Sequence, residues 1–425
     1  MGLPSSNAMT KRTWIPYVAA TVLGAGAVLA QSITTESDRV TVQDATDATR
    51  VDIGPQVIVE GEETRVLGPG PDIQALIDAA TGGSAKPHLI RLGPGVYDLA
   101  AGLVMKPYVS LAGSGEDATL LRAATAIENL VQGANDMAIS DLTIWNHGGH
   151  ASSKAIFNLL ASPRIARVTA EASGAQGYAI YNDSSSPVMS DVTANALGTT
   201  DGYGVYNTAS SPVMTRVTAS ATGATADNYG VYNLSASSPL MNGVTTTASG
   251  GVTNIGVRND SSSPTMTGVT ATASGAGSNY AVYNDSSSPT MTGVSASASG
   301  VSVLNCGVFN DGSAPRMTDV ETSSSDGTVN YGVFNGNSSS PIMVRVRATA
   351  SGGDLSYGVR NDSSEARIYS SLARARNGNL VSAGIDGINL DTRVYNTQVV
   401  GGVTNDASGT QCQNVYDDTP AAVGC

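Results

Sequence analysis

Tyr229-Gly230-Val231-Tyr232-Asn233 decides the fold, because this phrase recurs with substitutions nine times along the chain. Its last residue falls at Asn158, Asn182, Asn207, Asn233, Asn259, Asn284, Asn310, Asn335 and Asn361. The steps are 24, 25, 26, 26, 25, 26, 25 and 26 residues. A fixed period of this size in β-prone, turn-rich sequence marks a coiled solenoid in which each repeat is one rung.

Alternate residues of a strand face opposite sides, so the substitutions within each column report its direction. The third position is always Ile or Val, from Ile156 to Val359, and is expected to face the core. The second is always Gly or Ala and the fourth admits Arg258 and Arg360, so both are expected to face outward. By parity the Asn then points inward on every rung. A buried Asn column is stable as a ladder, each amide donating to one neighbour and accepting from the other.

A polar turn follows, then a Pro column that includes Pro163, Pro187, Pro212, Pro239 and Pro264. Two residues on, Met occupies positions 189, 214, 241, 266, 291, 317 and 343, a stack of adaptable core filling. A third strand, such as Val269-Thr270-Ala271-Thr272-Ala273, places small residues inward and hydroxyls outward. Three short strands and three turns per coil predict an all-β fold, a single-stranded parallel β-helix of about 25-residue coils. Nothing in the repeat has helical spacing.

Lys11, Arg12, the apolar run Trp14–Leu29 and the small residues up to Ala30 read as a secretory signal, and no later segment has the length to span a bilayer. Export is therefore expected, to an extracellular, periplasmic or cell-surface location. Losing residues 1–30 removes two of 22 basic and none of 35 acidic residues, leaving a net charge of −15. Nucleic acid and anionic membrane are poor partners for such a surface, and metal cations and basic surfaces better ones. A monomer is expected. Cys412 and Cys425 are the candidates for a disulfide after export, while Cys306 sits where other coils carry Tyr and reads as buried filling.

Before the repeat, Asp72–Ala80 reads as a short amphipathic helix with an acidic cap. His88–Leu92, Gly93-Pro94-Gly95-Val96-Tyr97 and Val109-Ser110-Leu111-Ala112-Gly113-Ser114-Gly115 follow. This order resembles the opening of the pectin lyase-like superfamily of right-handed parallel β-helices, over about residues 70–400. The resemblance implies right-handed coiling and a helix that caps the barrel. The chain thus divides into a signal peptide (1–30), a leader (31–69), a cap with the first coils (70–150), regular repeats (151–375) and final coils with a C-terminal cap (376–425). Beyond Asn361 the period stretches to Asn389.

The resemblance also makes carbohydrate chemistry the first activity to look for. The Asp phrases of pectin esterases and the Asp cluster of polygalacturonase-like hydrolases are absent. Arg164 and Arg167 share a rung, with no acidic cluster evident opposite them. His147 and His150, three apart in a Gly-rich loop, are weak candidates for acid–base or metal chemistry. Asp260, Asp285 and Asp311 stack on successive rungs, where Ca²⁺ or the backbone of each turn could relieve their repulsion. No other cofactor is implied.

The fourth-position column is the strongest functional clue. It holds Tyr181, Tyr206, Tyr232, Arg258, Tyr283, Phe309, Phe334 and Arg360, a ligand-binding platform for sugar rings or a cell-surface component. Thr arrays at 245–247 and 270–272 resemble ice-binding surfaces but are interrupted by Glu171, Asn195, Glu321 and Arg347 in the same columns. The reading favoured by these residues is a secreted, non-catalytic binding or scaffold protein with a carbohydrate ligand. The alternative is a divergent polysaccharide-active enzyme of esterase, lyase or hydrolase type. Two or three carboxylates converging with an Arg on one outer face would favour the enzyme.

Overall fold

The structure is a computed structural model that describes residues 87–388 without interruption. It also describes 30–36, 39–44, 50–53, 56–59, 64–70, 72–81, 83–84, 392–401, 403–404 and 411–415. Two compact units are present, Met1–Arg65 and Val66–Cys425. In the first, strands Ala30–Glu36, Arg39–Asp44, Arg50–Ile53 and Gln56–Val59 pair in order as an antiparallel meander, where the sequence suggested only a leader. Most of the signal segment, Asn389 and Cys425 lie outside the described residues, and with Cys425 lies the proposed disulfide.

The second unit is a parallel β-solenoid of about twelve turns. Like residues stack on like: Val231 pairs with Val257 and Val257 with Val282, Met241 with Met266, and Thr245 with Thr270. The short helix α1 (Ile73–Ala79) begins at Asp72, whose carboxylate accepts from the Ala75 N–H at 3.1 Å, and buries Ile73 and Ile77. Tyr97 of the Pro-Gly-x-Tyr turn donates its hydroxyl to the Leu67 carbonyl at 2.7 Å. No helix among the described residues is long and apolar enough to cross a membrane.

The core follows the columns. The Ile/Val column is buried from Ile156 to Val359, and all seven repeat methionines are fully buried. The Asn ladder is continuous: each Nδ2 from Asn158 to Asn335 donates to the Oδ1 one rung on, at 2.7 to 2.9 Å. Asn361 closes it on Thr392 Oγ1 at 3.2 Å.

A second ladder escaped the sequence analysis. Asn228 donates to Asn254, Asn254 to Asn279 and Asn279 to Asn305, at 3.3, 2.9 and 2.8 Å. Serines form a third, in which the backbone N–H of Ser185, Ser210, Ser262, Ser287 and Ser313 each donates to the Ser hydroxyl of the next rung.

The second position of the phrase is a correction. Ala179 and Ala281 are fully buried rather than outward. The strand is not flat there: inter-rung pairing runs from Tyr229↔Ile255 directly to Val231↔Val257 and passes over the glycine. The bend presses the backbone against the third strand. A Cβ on Gly230 would lie 2.8 Å from Thr246 Cβ, and one on Gly256 would lie 2.5 Å from the Ala281 carbonyl oxygen. Close approach of two backbones, not outward exposure, keeps this column small.

Arg167 is a second correction, for its acidic partner was present. Its Nε and Nη2 donate to both oxygens of Asp141 at 2.5 and 2.9 Å. Arg216–Asp191 and Arg345–Asp319 repeat the fork. All six residues have left-handed φ between 51 and 58°, at a corner where Gly243, Gly268 and Gly293 take φ of 60, 59 and 61°.

Candidate functional site

The bend at the second position of the phrase creates the site. In a flat strand the first and fourth positions of the phrase would face opposite sides. Here they share the outer face and their rings converge: Tyr178–Tyr181, Tyr203–Tyr206, Tyr229–Tyr232 and Tyr280–Tyr283 have centroids 5.1, 5.3, 4.9 and 5.2 Å apart. Stacked over successive rungs, they make a crease lined by aromatic rings two columns wide. Tyr178–Tyr203 and Tyr203–Tyr229 stack within 9° of parallel at 4.6 and 5.1 Å, and Phe309–Phe334 within 12° at 4.7 Å. Ring pairing of this kind adds about 0.5 to 1.5 kcal/mol per pair beyond burial.

The fourth-position side chains are therefore half-buried, each covered on one side by its neighbours. The first-position column, Tyr178, Tyr203, Tyr229, Tyr280, Tyr331 and Tyr357, is the half of the platform that sequence analysis missed. Cys306 stands in this outer column between Tyr280 and Tyr331 and is fully buried beneath the rings. Burial pushes the hydroxyls of Tyr181, Tyr232, Tyr280 and Tyr331 up to about 12.

Three cations interrupt the rings. Lys154 takes the first-position place at one end, with Nζ 5.5, 5.7 and 5.6 Å from the centroids of Phe157, Tyr178 and Tyr181. It also pairs with Glu128 at 2.8 Å. Arg258 lies mid-crease between Tyr232 and Tyr283, 5.3 and 5.1 Å from their centroids. Arg360 lies 5.0 Å from the Tyr357 ring and 3.5 Å from Asp386.

At Arg258 the ligand column and the acidic column meet. One nitrogen, Nη2, is 3.6 Å from Asp260 Oδ2 and 3.7 Å from Asp285 Oδ2. Tyr232 adds its hydroxyl, 3.4 Å from Asp260 Oδ2. The Nε of Arg258 is buried with no hydrogen-bond partner. Two carboxylates flanking a guanidinium supply acceptors and proton-transfer groups, and the guanidinium supplies donors. The repulsion expected between Asp260 and Asp285 is thus relieved by Arg258. Asp311 is held instead by Asn337 Nδ2. Among the described residues, no three His, Cys, Asp or Glu side chains converge to hold a metal.

The histidines are engaged locally. His147 stacks on Trp145 at 5.5 Å and lies 3.6 Å from Glu171. His150 Nδ1 is 2.8 Å from the Ser152 carbonyl and 3.1 Å from its N–H, one of which it bonds according to tautomer.

The molecule is a parallel β-helix with an aromatic crease on one outer face. Among solved structures it is similar to the A-module of the mannuronan C-5 epimerase AlgE6 of Azotobacter vinelandii. That match has a TM-score of 0.51 at 15% identity, over 82% of this chain and 95% of that one. A GH87 α-1,3-glucanase catalytic domain gives 0.43 at 13% identity, over 84% of this chain and 68% of that one. Carrot pectin methylesterase gives 0.34 at 11%, over 76% and 88%. The fold assignment rests on the first. No family model and no curated protein matches the sequence.

Proposed function

We propose that this protein acts on a polysaccharide held along the aromatic crease, with Arg258, Asp260 and Asp285 as the reacting centre. The observation that carries the proposal is the convergence of both carboxylates on one guanidinium nitrogen, between two tyrosine rings. Strand stacking sets the two aspartates one rung apart, about 4.8 Å. The exposed ring edges supply apolar surface and the tyrosine hydroxyls supply donors. The AlgE6 module is by its name an enzyme of a polysaccharide, mannuronan, and the proposal places this chain in that broad class. The protein works outside the cell as a monomer, after loss of residues 1–30.

The test is product release from a panel of polysaccharides by residues 31–425, with Asp260→Asn and Asp285→Asn as controls. New reducing ends, unsaturated sugars, released ester groups or an altered sugar composition, lost in both variants, would establish the activity. A second reading, a non-catalytic binder, has its own support in the half-covered, mutually stacked rings. It predicts no product, and retention on a polysaccharide that Tyr206→Ala/Tyr232→Ala abolishes.

A further inference from the structure

The cations in the crease are evenly spaced. Counting rungs by strand register, Lys154 is followed by three rungs of paired rings, at Tyr178/Tyr181, Tyr203/Tyr206 and Tyr229/Tyr232. Then comes the Arg258 rung, then three more rungs carrying rings, and then the Arg360 rung. Each interval is four rungs, about 19 Å at the strand spacing of about 4.8 Å. The full span from Lys154 to Arg360 is about 38 Å.

Each cation is matched by acid. Lys154 has Glu128, Arg258 has Asp260 and Asp285, and Arg360 has Asp386, so four carboxylates answer three positive charges. Asp227 adds another at Tyr229, accepting from its hydroxyl at 3.1 Å. The crease therefore offers no excess positive charge to an acidic chain, and repels one. The ring faces are largely taken up by stacking on one another, so what it offers is ring edges, hydroxyl donors, carboxylate acceptors and guanidinium donors, the hydrogen-bonding complement of an uncharged chain rich in hydroxyls.

We infer that the crease binds an uncharged, extended polysaccharide parallel to the solenoid axis, and that Arg258 and Arg360 are separate anchor points along one chain. This inference rests on the proposed polysaccharide reading and names the substrate class. It requires that affinity grow with chain length until the ligand reaches from the central anchor to an outer one. It also requires that removing Arg360 affect long ligands alone.

The experiment is calorimetric titration of residues 31–425 with neutral gluco- and manno-oligosaccharides of increasing length, and with oligogalacturonates, at low and high salt. The expected result is length-dependent affinity for a neutral series, insensitive to salt. Arg360→Met should cost about tenfold for the longest ligands and leave the shortest unchanged, the equivalent of one desolvated cation contact. Arg360→Lys should recover part of that loss, and far-ultraviolet circular dichroism should show both variants folded. Tighter, salt-sensitive binding of oligogalacturonate would overturn this inference and leave the polysaccharide reading standing. So would neutral binding without gain in length. Binding of neither series, with no product from either, would overturn both.

Discussion

Replacing Asn259 by Ala removes one amide from the middle of the ladder. Asn233 Nδ2 then loses its acceptor at 2.9 Å, and Asn284 Oδ1 loses its donor at 2.8 Å. Both survivors are fully buried, away from bulk solvent. Leaving a buried polar group unsatisfied costs about 1 to 3 kcal/mol, so the substitution is expected to cost about 2 to 6 kcal/mol. Asn158→Ala is the internal control, because Asn158 donates to Asn182 at 2.7 Å while its own Oδ1 has no partner. Only one group is orphaned there, and the expected cost is about 1 to 3 kcal/mol. Urea unfolding followed by tyrosine fluorescence would give both values. Amide exchange on either side of Asn259 would show the loss as local, because a rung couples to its nearest neighbours. Equal costs for the two variants would refute the claim that the amides act as a bonded ladder.

Two further outcomes are expected. Gly256→Ala forces a Cβ to within 2.5 Å of the Ala281 carbonyl oxygen and should destabilise by about 1 to 3 kcal/mol. Gly268→Asn, with open space around its Cβ and a φ that Asn tolerates, should stay within about 0.5 kcal/mol. Thermal melts giving the opposite order would sink the bend argument. Separately, Tyr181, Tyr232, Tyr280 and Tyr331 keep their protons up to about 12 in the fold, against 10.0 when unburied. Between those values the unfolded chain has released protons that the folded chain retains. Stability is therefore complete below pH 10 and falls as pH rises towards 12. Tyrosine ionisation near pH 10 in a chain still folded by circular dichroism would contradict this.

The Ile/Val, Asn, Met and Pro columns were legible in the sequence because a solenoid repeats each physical constraint on every rung. The bend was not, since the parity argument assumes a flat strand, and every rung departs from that at the second position, whether Gly or Ala stands there. One missed bend hid the first-position tyrosines as half of the crease. The second ladder had a signal, Asn at 228, 254, 279, 305 and 330, but it lay outside the phrase used for alignment. Arg258, Asp260 and Asp285 were each singled out, though in separate columns with separate roles. Their meeting depends on side chains reaching across rungs, which spacing along the chain does not report. The Asp–Arg corner did have a signal, each Asp standing 25 or 26 residues before its Arg, but it lay outside the phrase used for alignment.

All eight Asn–Asn bonds of the main ladder run the same way, from Nδ2 of one rung to Oδ1 of the next. Their dipoles add, leaving a negative pole at Asn158 Oδ1 and a positive pole at Asn361 Nδ2. Reversing a single amide would set donor against donor on one side and acceptor against acceptor on the other, so the row is committed as a whole. The solenoid interior thus has a polarity of its own. A rung added beyond Asn361 must bring an acceptor, and one added before Asn158 must bring a donor.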